Sequence, residues 1–305
     1  VKRILNCTAS DFEQMNKHDL LQSIQASEGR TMIAEVVCTS VPLYPGLTNA
    51  EYASSFGADI ILLNIFDVDQ PHIEGLDKVK PKEVIHTLKK LIGRPVGINL
   101  EPVDPDADNL EDLDVLQEGR RATRNSLKKA KELGVDLICL TGNPKTGVST
   151  KAILKSIEVA NEVAGEEVVI IAGKMHGAGV KADTPEGLAD TDTIKQYVKA
   201  GADIILVPGV GTVPGATSQQ TEKLISIAHQ EGALALTSIG TSQEGAEKET
   251  IQQMALYNKM AGADMHHIGD AGMHGIAVPE NIMHYSIAIR GKRHTYIRMA
   301  ASVHR

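Results

Sequence analysis

The chain has 305 residues, 42% hydrophobic and 23% charged, ordinary values for a globular protein and enough to bury a large core. A net charge of −8, no Trp and three Phe exclude the usual nucleic-acid binders, which need opposing positive charge and aromatic platforms for bases. No apolar run approaches the roughly 20 residues of a membrane span, and the opening VKRILN is not a signal peptide, so the sequence predicts a cytoplasmic protein with no membrane partner.

Residues 4–7 predict a short strand and 18–28 a helix, and the whole segment 1–30 is expected to cap one end of the domain. The run 31–40 (TMIAEVVCTS) reads as a strand carrying Glu35 near its end. A helix is predicted over 48–56, then a strand over 57–64 (GADIILLN) ending at Asn64, with Asp67 and Asp69 just beyond. A helix at 81–92 leads to a third strand, 95–102 (PVGINLEP), which carries Asn99 and Glu101; Asp104, Asp106 and Asp108 come after it as a solvated acidic loop. A helix over 110–133 precedes the fourth strand, 134–141 (GVDLICLT), whose end reads Thr141-Gly-Asn143-Pro-Lys-Thr-Gly147. A helix at 149–164 and a strand at 168–174 (VVIIAGK) bring in Lys174 and His176. The pattern continues with a helix at 187–200 and a strand at 201–208 that runs into Gly209 and Gly211. A helix at 217–231 then leads to a strand at 233–239 followed by Gly240 and Thr241. A helix at 243–261 precedes the last strand, 262–269 (GADMHHIG), which is followed by Asp270 and Gly272 and a helix at 279–290.

Four of these strands open with Gly, a small residue and Asp: Gly57-Ala-Asp59, Gly134-Val-Asp136, Gly201-Ala-Asp203 and Gly262-Ala-Asp264. Gly closes the preceding helix in the left-handed conformation, and an apolar run comes next, as in parallel strands buried on both faces. The copies fall on the even strands only. Eight strict strand–helix alternations with this internal repeat predict one α/β domain over 1–305, a single (β/α)8 barrel with short terminal extensions. The repeated aspartates are expected at the barrel end opposite the chemistry, capping backbone groups. The basic tail 292–305 predicts a helix packed on the outside or on a neighbouring subunit of a homo-oligomer. Cys7, Cys38 and Cys139 are far apart with no CxxC, which predicts buried free thiols.

Catalytic residues of this fold come from the carboxyl ends of the strands and the loops after them. Gly209, Gly211, Ser238, Gly240, Thr241, Gly269 and Gly272 gather glycine and hydroxyl residues after strands 6 to 8, the expected cradle for a phosphate or carboxylate held by backbone N–H groups. Asn64, Asn99, Thr141, Asn143 and His267 are the expected substrate contacts. His266 and His267 alternate across the strand, so only one faces the interior. Asp67 and Asp69, with Glu101 near, have the spacing of hard oxygen ligands, for which Mg²⁺ is the fitting ion. A lysine ending an apolar strand is costly without an anion. Lys174 is therefore expected in the mouth with His176, Glu101 and Glu35, as an electrostatic clamp or a Schiff-base amine.

The phrase Thr141-Gly-Asn-Pro-Lys-Thr-Gly147, succeeded by a helix and an apolar strand, resembles the BtpA-like family of (β/α)8 barrels. The stretch 46–64 (GLTNAEYASSFGADIILLN) with Asp67-Val-Asp69 resembles the phosphoenolpyruvate mutase/isocitrate lyase superfamily. That second resemblance implies Mg²⁺ and an α-keto acid at the D-x-D pair, although the superfamily's K-x-C-G loop is missing. The residues leave three readings open. The first is a lyase or isomerase acting on a small phosphorylated or carboxylated metabolite. The second is a Mg²⁺-dependent mutase or lyase centred on Asp67, Asp69 and Glu101. The third is a non-catalytic barrel that senses a metabolite or serves in assembly.

Overall fold

The eight strands predicted from the sequence all form, and they close on themselves. In the computed structural model, which describes residues 1–106, 113–175 and 190–305, they are β1 (Thr31–Val37), β2 (Ile60–Asn64), β3 (Val96–Leu100), β4 (Leu137–Leu140), β5 (Val169–Gly173), β6 (Ile204–Pro208), β7 (Leu234–Ile239) and β8 (Met265–Ile268). Neighbours pair in parallel in chain order, and β8 pairs with β1 to complete the ring. The fold is the (β/α)8 barrel.

Ten helices are described: α1 (Ala9–Gln14), α2 (Lys17–Gln25), α3 (Asn49–Ser55), α4 (Val84–Ile92), α5 (Arg124–Glu132), α6 (Thr150–Ala164), α7 (Thr191–Ala200), α8 (Ser218–Gln230), α9 (Lys248–Met260) and α10 (Pro279–Ala300). Short polar residues start many of them. The side chains of Thr48, Thr123, Ser149, Asp190 and Thr217 each accept a backbone N–H of the first turn. The predicted helix over 110–133 is too long. Its described part is a 3₁₀ turn at Glu118–Arg120 followed by α5. No helix of the described residues is long and apolar enough to cross a membrane, and all three cysteines are free and buried.

Side chains alternate between two cores. Ile33, Leu62, Cys139, Ile171, Leu206 and Leu236 fill the barrel interior, closed from below by Ile4, Phe12, Leu20 and Ile24 of the N-terminal segment. The alternate positions, among them Ala34, Ile61, Ile138, Ile170 and Ala172, pack against the helix ring. Residues 1–30 thus cap the barrel floor as expected, but residues 4–7 form a 3₁₀ turn at Ile4–Asn6 and no strand. Both strands next to this corner already pair with each other, so no sheet edge is left for an extra strand.

The four repeated aspartates stand at the floor in equivalent places. Each carboxylate accepts the N–H near the start of the preceding odd strand at 2.8 Å: Met32 to Asp59, Val96 to Asp136, Ile170 to Asp203 and Ala235 to Asp264. Each aspartate N–H returns a bond to the carbonyl of that same residue. The counter-charges differ: Lys89 for Asp136, Lys17 for Asp203, His229 for Asp264, and both Arg290 and Arg298 for Asp59. Arg298 of the last pair belongs to the tail, which forms the expected helix, packed on this chain's own barrel. After a break at Gly291 (φ 74°), α10 runs on to Ala300 and turns Arg298 into the floor of its own barrel. There Arg298 donates to Asp59 and to the carbonyls of Ile4 and Cys7.

Candidate active site in the barrel mouth

At the opposite end the strands present polar side chains inward, and these form one continuous network. Ser238 of β7 lies 2.7 Å from His267 Nδ1 of β8. His267 Nε2 lies 2.7 Å from Glu35 Oε2 of β1, off the line of a good hydrogen bond, so this contact is a close approach of charge. Glu35 Oε1 accepts Asn99 Nδ2 at 2.7 Å, and Asn99 also donates to Asn64 Oδ1. Asn64 and Asn143 exchange amide bonds at 2.9 Å, and Asn64 donates to Asp270 Oδ2 at 2.8 Å. The network borders a cavity of about 250 Å³ whose walls include Thr141, Met175, Thr241, Glu244 and Gly269. That is the size of a small metabolite.

The electrostatics of the mouth are acidic. Burial, then the negative charge of Glu35, pushes the Asp270 carboxyl up to about 7, against the opposing bond from Asn64. Burial also raises the Glu244 carboxyl. When the imidazole of His267 carries its proton on Nε2, that proton faces the Glu35 carboxyl. Nδ1 is then free to accept the Ser238 hydroxyl. The other histidine of the strand, His266, points to the helix layer. Its Nε2 lies 3.0 Å from the Gly29 carbonyl and its Nδ1 3.2 Å from the Tyr285 hydroxyl, and burial pushes its pKa down to about 4.

The structure thus brings Glu35, Asn64, Asn99, Thr141, Asn143, Ser238 and His267 together, and it disperses other expected site residues. Lys174 does not enter the mouth. On β5 the inward positions are Val169 and Ile171 and the next is Met175, whereas Lys174 shares its side with Ile170 and Ala172. Its ammonium is buried and donates to the Val148 carbonyl at 2.5 Å. His176 and Asp108 lie outside the described residues. Glu101 is buried at the rim, 2.5 Å from Arg120, and accepts the Asn143 N–H.

Asp67 and Asp69 do not form a ligand pair. Asp67 Oδ1 closes a turn by accepting the N–H of Asp69, while Asp69 is bound to Lys129 at 2.5 Å. The described residues whose ligand atoms converge are instead His72, Glu74 and Asp77, an acidic cluster of metal-ligand type on the surface.

The anion cradle is also corrected. The N–H groups of Gly209, Gly211, Gly240 and Gly269 already bond to Ser238 O, Ala216 O, Thr212 Oγ1 and Ile239 O. The space between strands 7 and 8 is filled by the Glu244 carboxyl. A Cβ on Gly269 would stand 2.3 Å from Glu244 Oε1, and one on Gly240 would meet Met175 at 2.3 Å. These glycines make room for the chain's own side chains. A Cβ on Gly272 would meet backbone, Val278 N at 2.6 Å.

Three residues of the mouth escaped the sequence reading. Asp270 was visible just past the last strand, but nothing distinguished it from a loop aspartate. Glu244 sits in a turn at Gln243–Gly245 that reads as helix in sequence. Met175 is inward only because β5 has the opposite phase to the one expected.

The chain belongs to the family described as domain of unknown function (DUF7916), which matches residues 5–305. An uncharacterised protein of Methanocaldococcus jannaschii is 32% identical over 80 residues, covering 26% of this chain and 46% of that protein. The chain therefore spans about half the length of the curated relative it matches. Among solved structures, 2,3-dimethylmalate lyase, a phosphoenolpyruvate mutase/isocitrate lyase superfamily member, superposes with a TM-score of 0.51 at 13% identity, over 86% of this chain and 81% of that one. The carboxyl transferase domain of Rhizobium etli pyruvate carboxylase, solved with pyruvate, gives 0.53 at 13% identity, over 97% and 53%. Identities this low speak for a shared barrel and leave the chemistry to the site.

Proposed function

We propose that this member of the DUF7916 family is an enzyme that transfers protons on a small polar metabolite held in the barrel mouth, by lyase or isomerase chemistry. The observation that carries the reading is the line Glu35–His267–Ser238, with a carboxyl titrating near neutrality, Asp270, in the same cavity. Paired groups with separated proton affinities are the usual signature of acid–base work. Ser238 Oγ takes the substrate proton as its own proton passes to His267 Nδ1. Glu35 stabilises the imidazolium that results. The protonated form of Asp270 donates to the oxygen or leaving group that gains charge. Glu35 acts through His267 and is a positioning residue, as are Asn99 and Asn64, which fix the two carboxyls.

The described lining holds Glu35, Glu244 and Asp270 and no lysine or arginine. That weighs against a phosphorylated or carboxylated group inside this cavity, because an anion there meets like charge in a desolvated setting. The ligand atoms of Asp67, Asp69 and Glu101 do not converge, and their bonds to a turn, Lys129 and Arg120 weigh against a Mg²⁺ centre there.

Incubation with pooled small metabolites in D₂O, read by mass spectrometry, should reveal deuterium uptake or product. Loss of an acid–base group costs about 10²–10⁴ in rate, so His267→Gln and Ser238→Ala should each fall at least about a hundredfold. Asp270→Asn should also remove one limb of the pH–rate profile. Full turnover in His267→Gln would refute the reading. The same line also suits a serine nucleophile for acyl transfer. Stoichiometric labelling of Ser238 by phenylmethanesulfonyl fluoride would favour that alternative.

A further inference from the structure

A second cavity, of about 610 Å³, opens at the barrel floor between α1, the end of α4 and the tail. These three parts are docked on one another. The Ser10 N–H donates to the Arg305 carbonyl at 2.8 Å, and a Cβ on Gly93 would stand 2.8 Å from Ala9 Cβ and 3.5 Å from Val303. The lining is basic. His86, Lys90, His304 and Arg305 stand exposed on it, and their side chains make no hydrogen bond or ion pair among the described residues. Lys89 is already paired with Asp136, and Glu13 is the one acid of the lining.

The charge behind this wall is also positive. Arg94, 4% exposed, donates to the carbonyls of Ala58, Gly93 and Arg298 and to no carboxylate among the described residues. Its neighbours Arg290 and Arg298 share the single carboxylate of Asp59, so three buried guanidiniums stand against one anion. Burial, then the charge of Arg298, pushes the Arg94 guanidinium down to about 10, which leaves it a cation at neutral pH. Carbonyls satisfy its N–H groups but do not cancel its charge. Fixed positive charge beneath a cleft concentrates anions in it.

Independently of the reading of the mouth, we infer that the floor cavity binds a small organic diphosphate. Its phosphates meet Lys90 and Arg305, accept from the two imidazoles, and lie in the field of Arg94. A simple carboxylate carries one charge and leaves most of these donors unmet. Ala9, Phe12, Pro95 and Val303 of the same lining offer apolar surface to the organic part, and the volume suits an organic ligand better than a bare ion. The cavity lies at the end of the barrel away from the mouth, so its occupant is a ligand apart from the substrate.

The test is calorimetric titration of the full chain at neutral pH, in EDTA and at fixed ionic strength, with ADP as the probe and adenosine and inorganic diphosphate as comparators. ADP should bind saturably, adenosine without saturation, and diphosphate at least about tenfold more weakly than ADP, since it forgoes the apolar wall. Lys90→Glu and Arg305→Glu reverse charge at exposed positions, which spares the fold, and each should weaken ADP at least about tenfold. His267→Gln, in the mouth, should leave ADP affinity unchanged. Lack of saturable ADP binding, adenosine or diphosphate binding as tightly as ADP, or unchanged affinity in both charge reversals would overturn the inference. Loss of ADP binding in His267→Gln would overturn it too, by moving the ligand to the mouth.

Discussion

The four repeated aspartates make the same backbone bonds but carry unequal electrostatic burdens, so one truncation should cost far more than another. Asp59→Ala leaves the Met32 N–H unpaired and removes the anion shared by Arg290 and Arg298, whose side chains are 0% and 2% exposed. Breaking a buried ion pair by deleting one partner costs about 3–5 kcal/mol, because the other charge stays buried. Asp264→Ala leaves the Ala235 N–H unpaired in the same way, but its counter-ion is His229, whose side chain is 41% exposed. An exposed pair contributes only about 0–1 kcal/mol. The backbone loss is common to both variants and cancels in the comparison, so Asp59→Ala should be the worse by at least about 2 kcal/mol. Urea unfolding followed by circular dichroism reads this directly. With a slope near 3 kcal/mol/M, the midpoints should differ by about 0.7 M. Coincident midpoints would mean that the arginines relax to solvent at little cost, and the account of the floor would fail.

Two further outcomes are expected. Asp270 holds its proton more tightly folded, at about 7, than at its ordinary value of 3.8. Its contribution to stability is therefore full below about pH 4 and is lost as pH rises through about 7. Urea midpoints measured across that window should fall with pH more steeply in the wild type than in Asp270→Asn, and parallel slopes would contradict the burial of this carboxyl. Gly173 (φ 154°) ends β5 where a Cβ would stand 2.0 Å from the Leu206 carbonyl oxygen. Gly173→Ala should then lower the unfolding free energy by about 1–3 kcal/mol or more through forced separation of β5 from β6, measurable in the same titration.

The barrel was legible because its repeat is local. Gly-x-Asp marks a helix end and a strand start in one short string, and the bonds from Asp59, Asp136, Asp203 and Asp264 to the preceding strand explain why the string recurs. The mouth was legible wherever a strand mixes polar and apolar residues. Asn99 in a run of apolar neighbours, or Glu35 among alanine and valines, announces which parity faces in. The fifth strand reads Val-Ile-Ile-Ala-Gly and has no such marker. An all-apolar strand is buried on both faces, so its phase comes from tertiary packing alone, and Lys174 was assigned to the wrong side. The loops failed for a different reason. Glycines after strands 7 and 8 suit a phosphate equally well as a tightly packed carboxylate, and only coordinates reveal Glu244 in that space.

The salt link at Asp59 has a consequence for synthesis. Asp59 belongs to the start of the second strand, yet Arg290 and Arg298, which neutralise it, lie 231 and 239 residues further along the chain. A nascent chain that has not yet reached 290 therefore carries this aspartate at the barrel floor without its cationic lock. Early strands can pair before that point, but Asp59 gains its ion-pair partners only when α10 arrives. The ring can close once β8 pairs with β1, whereas the ion pairs of Asp59 wait for α10, so a chain cut short of α10 keeps all eight strands and lacks both arginine partners of Asp59.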